Sequence, residues 1–263
     1  MKWTSSGPRA QMRSTGAGSP PSHRNRGEKG GTAMFMTSGR TVAGIVLARG
    51  GPANGVTKEE RMRLTIWERI ERARERWNVL RHPFYVRWTA GELTAAELAR
   101  YSGQYRHAVE AISRASAVAA DAAPDRPELL EHVVEEREHL ALWDEFVAAV
   151  GGDTSADPAP ETAACTGAWS TSDDLAATLV TLYAIESAQP EISRVKREGL
   201  VASYGFVEGN GTRYFEVHER RDAEHAAQAR KLLDELAGDE DDDRLVAAGE
   251  RAYRANWRLL DGV

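Results

Sequence analysis

From Ile66 to Leu259 apolar side chains recur at helical spacing, and over no useful length do they alternate with period two. A half-buried strand must alternate its faces, so this pattern argues against a sheet and predicts an all-α chain. Ile66, Ile70, Ala73 and Trp77 mark a first amphipathic segment, broken between Asn78 and Pro83. Thr94, with Glu97 three residues on, reads as a capping box. It opens a second helix through Tyr101, Tyr105 and Ile112 to about Ala123, where Pro124 stops it. A third runs from Pro127 through Trp143 and Phe146 to Gly151–Gly152, followed by a polar, proline-containing linker from Asp153 to Ser170. Ser172–Asp173 open a fourth through Leu179, Leu182 and Ile185, interrupted by Pro190. Tyr214 to Leu236 makes a fifth, and an acidic turn over Gly238–Asp243 leads into the last. Helices of about 17–28 residues are bundle lengths.

Residues 1–61 differ in character. They are rich in Gly, Ser, Pro and Arg, and their ten Lys/Arg against three acids give +7. The whole chain carries −6, so the remainder holds −13. Such a segment buries too little apolar area to offset chain entropy. The expectation is a disordered basic extension over 1–61 and a single all-α domain over 62–263. An acidic body does not suit phosphate-backbone binding, which argues against a nucleic-acid partner. No run reaches the length of a transmembrane helix. The single cysteine, Cys165, excludes an intramolecular disulfide and a cysteine-based zinc site, and points to a reducing cytoplasm.

Four of the seven histidines fall in two matching sets. His218, Asp222 and His225 form H-x3-D-x2-H, which places all three on one helix face. Two imidazoles and a carboxylate on one stripe suit a divalent transition metal. His132, Glu136 and His139 repeat the arrangement, with Glu135 as a second carboxylate able to face His139. The spacing does not choose between Glu135 and Glu136, and His132, amid acidic neighbours, reads better as a partly buried surface histidine. Glu186 lies in the apolar run LYAIESAQPEI, where a carboxylate is costly unless paired or metal-bound. Pro190 cannot donate to the carbonyl of Glu186, so the helix should kink beside that carboxylate. His107, after Gln104 and Tyr105, suits an outer donor or a core histidine.

These residues resemble the haem-oxygenase-like helical superfamily, which includes TenA thiaminases, the pyrroloquinoline-quinone synthase PqqC and di-iron oxidases and oxygenases. HPFYVRWTAGELTAAELARYSGQY is similar to the opening of these proteins, and HERRDAEH to the H-x3-D-x2-H element of the di-iron branch. The resemblance implies a TenA/PqqC-like bundle and a metal set of Glu135 or Glu136 with His139, Glu186, His218, Asp222 and His225. It implies iron, as two ions, with one iron or manganese as the smaller alternative. It further implies O2 and a small organic molecule as reactants, and a homodimer. Gln104, Tyr105 and His107 would orient ligands or handle protons, and Tyr183 and Tyr214 would be open to self-oxidation. EEREH is more compact than the corresponding stretch of the di-iron branch. Tyr105 stands where TenA enzymes carry an Asp, and Cys165 lies in the linker, which disfavours thiamine hydrolysis. A cofactorless PqqC-like oxidase and a non-enzymatic TenA-like regulator are the alternative readings.

Overall fold

The computed structural model describes residues 64–170, 174–236 and 242–263, and among them nine α-helices and no strand. The 1–61 extension, the Ser172–Asp173 helix start and most of the Gly238–Asp243 turn lie outside the described residues. The helices are α1 (Ile66–Arg76), α2 (Pro83–Ala90), α3 (Ala95–Ala122), α4 (Pro127–Ala149), α5 (Pro160–Ser170), α6 (Leu175–Glu186), α7 (Gln189–Ser203), α8 (Arg213–Leu236) and α9 (Asp242–Asp261). None is long and apolar enough to cross a membrane.

Local chemistry sets the ends. The Thr94 hydroxyl accepts from the Glu97 amide while the Glu97 carboxylate accepts from the Thr94 amide, a complete capping box; Thr65 and Glu68 build another at α1. Proline opens α4, and Pro190 sits in the first turn of α7, where a missing N–H costs nothing. The helix expected to kink at Pro190 is in fact two: α6 stops at Glu186 and α7 starts at Gln189.

Two helices lie where the sequence suggested none. The Asp153–Ser170 linker contains α5, whose inner face is only Thr162, Cys165 and Trp169, too narrow and too polar a stripe to register as amphipathic. Beyond the break at Asn78, the His82 ring caps α2 by accepting from the Phe84 amide.

At the centre lies α6, packed against α3, α8 and α9 and buried at every position from Ala177 to Glu186. A helix enclosed on all sides has no polar face, which is why its sequence is almost wholly apolar. On one flank α2 lies tight against α7: a Cβ on Gly199 would fall 2.6 Å from the Trp88 ring, and Trp88 Nε1 donates to the Lys196 carbonyl. The body thus presents the inner faces of α4, α6, α7 and α8 to a shared interior.

Candidate metal centre

The two histidine motifs face one another across the interior on antiparallel stretches of α4 and α8. The His132 ring lies 4.3 Å from that of His225, and His139 4.2 Å from that of His218. Residues 132 and 139 therefore meet 225 and 218, in reversed order. Glu136 and Asp222 come from the middle of the two motifs, and Glu186 reaches in from the end of α6. Two compact sets result: His132, Glu186 and His225, and Glu136, His139 and His218, the ligand atoms within each lying inside 4.8 Å of one another. All six residues are buried, and so is Asp222 at 1% exposure.

Seven donor atoms in this cluster have no hydrogen-bond partner: His132 Nε2, both oxygens of Glu186, His218 Nε2, both oxygens of Asp222, and His225 Nδ1. His132 Nε2 sits 3.0 Å from Glu186 Oε1 without a directed bond, and His225 Nδ1 is 3.9 Å from Asp222 Oδ1. Leaving a buried polar atom unsatisfied costs about 1–3 kcal/mol, more for a charged one. Converging lone pairs of imidazole and carboxylate are the donor set a divalent iron takes, so these residues fit such an ion. Their other ring nitrogens are occupied: His218 Nδ1 pairs with the Tyr214 carbonyl at 2.7 Å, and His225 Nε2 with Glu135 Oε2 at 3.0 Å.

The electrostatics reflect crowding. Burial opposes a charge on His132, but Glu186 and Glu136 outweigh it and lift its pKa to about 11. Burial and then the neighbouring His139 push His218 down to about 3. Burial, followed by Glu136 and Glu186, raises Asp222 well above the carboxylate range. Burial would raise Glu136 too, but His132 and His139 hold it well below that range. The two upward shifts put protons on His132 and Asp222, which a bound cation would displace.

Of the residues singled out from sequence, Glu136, His139, Glu186, His218, Asp222 and His225 come together. His132, read as a surface histidine, joins them: its acidic neighbours Glu131 and Glu135 do not share its burial. Glu135 lies outside the cluster, gripped by Arg221 and holding His225 from behind. Gln104 is spent on the connection between α4 and α5: its Nε2 donates to the Asp157 carbonyl, and its Oε1 accepts from the Ala159 amide and the Thr162 hydroxyl. His107 Nε2 pairs with the Ala156 carbonyl of the same connection. Both therefore brace a loop. Tyr105 is buried beside the interior, its hydroxyl accepting from Gln189 Nε2. Tyr214 stacks on His218 at 3.8 Å, whereas Tyr183 turns away to donate to Glu71.

Sequence reasoning missed Lys196. It is fully buried, has no hydrogen-bond partner, and its Nζ lies 4.5 Å from the Tyr105 ring centre, 5.5 Å from Tyr101 and 5.7 Å from Tyr85. Burial lowers its pKa to about 7. The available signal was the inner stripe of α7, Gln189, Ile192, Ser193, Lys196 and Leu200, at helical spacing.

Comparison with known proteins identifies the family and the fold. A family model described as "Iron-containing redox enzyme" matches residues 128–257, the span from α4 into α9 that carries all seven cluster residues. A 4-aminobenzoate synthase of Nitrosomonas europaea is 31% identical over 210 residues, covering 71% of this chain and 85% of the relative. Among solved structures, a TenA homolog from Pseudomonas syringae has a TM-score of 0.65 at 22% identity, covering 75% of this chain and 90% of its own. A domain with a heme oxygenase-like fold from Shewanella denitrificans has a TM-score of 0.64 at 21% identity, covering 75% and 91%. The chain belongs to the iron-containing redox enzyme family, has its haem-oxygenase-like all-α fold, and is an oxidoreductase acting on a small molecule.

Proposed function

We propose that the two sets of ligands, with Asp222 between them, hold two iron ions, and that the protein is an O2-dependent oxidase or oxygenase whose product is 4-aminobenzoate or a closely related aromatic amine. The observation that carries this reading is the group of seven partnerless donor atoms converging from α4, α6 and α8. Two irons, when bound, would supply the electrons and the oxygen-binding site. The name of the Nitrosomonas relative supports the product class.

The chain's own residues do the rest. Pairing of His218 Nδ1 with the Tyr214 carbonyl leaves Nε2 free to bind, and the Glu135 carboxylate does the same for His225 Nδ1. Tyr214, Trp143 and Phe215 pack edge to face around the His139–His218 end and exclude water. Forming an aromatic amine by oxidation calls for uncharged nitrogen shielded from solvent. Lys196 is a buried primary amine with a pKa near neutrality among tyrosine rings, which supports placing the reaction chamber on its side of the cluster. A reducing cytoplasm suits the chain, whose one cysteine is free and buried.

Anaerobic Fe(II) titration followed by O2 exposure tests this, read by Mössbauer and absorption spectra and an oxygen electrode. Two irons per chain and rapid O2 uptake are expected, with iron loading reduced and uptake abolished in His218→Ala and Asp222→Ala. Iron loading unchanged in both variants would overturn the assignment.

A further inference from the structure

The two metal positions are built from matching motifs but braced differently from outside. At the inner end, His218 is held by a neutral group, the main-chain carbonyl of Tyr214, a residue 1% exposed. At the other end, His225 Nε2 donates to an ionised carboxylate, Glu135, 3.0 Å away. Glu135 is itself clamped by Arg221 through Nε at 3.3 Å and Nη2 at 2.5 Å. Its side chain is 30% exposed and that of Arg221 44%, so this brace stands at the solvent edge of the protein.

A carboxylate behind an imidazole fixes its tautomer and raises its basicity more than a carbonyl does, and loss of such a partner typically costs about 10–100-fold in metal affinity. We infer that Glu135, oriented by Arg221, is a positioning residue for the His132–Glu186–His225 metal position alone, so that the two positions are inequivalent and can be emptied separately. This rests on the two-ion reading above. Glu135 touches no metal in this assignment. It holds the His225 ring with Nδ1 turned inward, 3.9 Å from Asp222 Oδ1. On the His218 side the carboxylate bonded to an imidazole is Glu136, 2.9 Å from His139 Nδ1, and it is itself one of the candidate ligands rather than a brace at the solvent edge.

The test is equilibrium dialysis of the metal-free full chain against Mn(II), with bound metal counted by elemental analysis and folding followed by circular dichroism. Wild type should bind two ions. Glu135→Ala should keep one at wild-type affinity and weaken the other about 10–100-fold. Glu135→Gln, which keeps a hydrogen-bond acceptor without the charge, should fall between and carries the test should the alanine variant fold poorly. Arg221→Gln, which frees the carboxylate without removing it, should weaken the same single ion by less. Two ions at wild-type affinity in both Glu135 variants, or both ions weakened equally, overturns the inference while leaving the two-ion reading intact. A wild-type protein that binds fewer than two ions overturns both.

Discussion

At the scale of single residues, the site is a problem of where charge is tolerated. Lys196 is the sharpest case. Its folded pKa of about 7 lies below the ordinary 10.5, so between those values the unfolded chain holds a proton the folded one lacks. Stability contributed at this position therefore rises with pH across that window. Lys196→Met should stabilise the protein most below pH 7, by several kcal/mol at about 1.4 kcal/mol for each pH unit of the window, and the gain should vanish above pH 10.5. Urea unfolding at a series of pH values at fixed metal content checks this, and a pH-independent difference would contradict it. Legibility at this scale was uneven. The His218, Asp222, His225 stripe could be read directly, because three ligand types on one face have few other uses. His132 could not be separated from its acidic surroundings until burial sorted them: Leu129, His132, Glu136, His139 and Trp143 share one inward stripe, and Glu131, Glu135 and Glu138 do not. Lys196 was invisible for a similar reason, lying between Arg194 and Arg197, which both form surface ion pairs.

At the scale of elements, closeness of backbones decides the interior's shape. The docking of α2 on α7 depends on the missing side chain at Gly199, where a Cβ would meet Trp88 at 2.6 Å. Gly199→Ala should cost about 1–3 kcal/mol as an overpacked contact, outweighing the gain in helix propensity, and should loosen the Trp88 bond to the Lys196 carbonyl. Thermal unfolding with tryptophan fluorescence measures it, and an unchanged or raised midpoint would count against the contact. The long helices α3, α4 and α8 were legible because caps, prolines and apolar periodicity agree there. Two of the short ones, α2 and α5, were not. In α5 three inward side chains in eleven residues leave no period to detect, and α2 has a histidine as its cap, a residue with little claim to that role from sequence alone.

At the scale of the whole molecule, everything assigned to the metal centre lies between His132 and His225, well clear of the basic stretch at the start of the chain. We propose that residues 62–263 form an autonomous unit. A chain lacking residues 1–61 should fold with the same helical content, bind the same number of ions and consume O2 at the same rate, as circular dichroism, metal analysis and an oxygen electrode would report. Loss of folded protein would reject that division. One consequence follows from the enclosure of Lys196. A reagent dissolved in water has no line of approach to an amine sealed behind five rings, so acylation there must wait for the helices to part. The pace of its labelling, set against that of Lys231 on α8, is therefore a clock for how often the protein breathes.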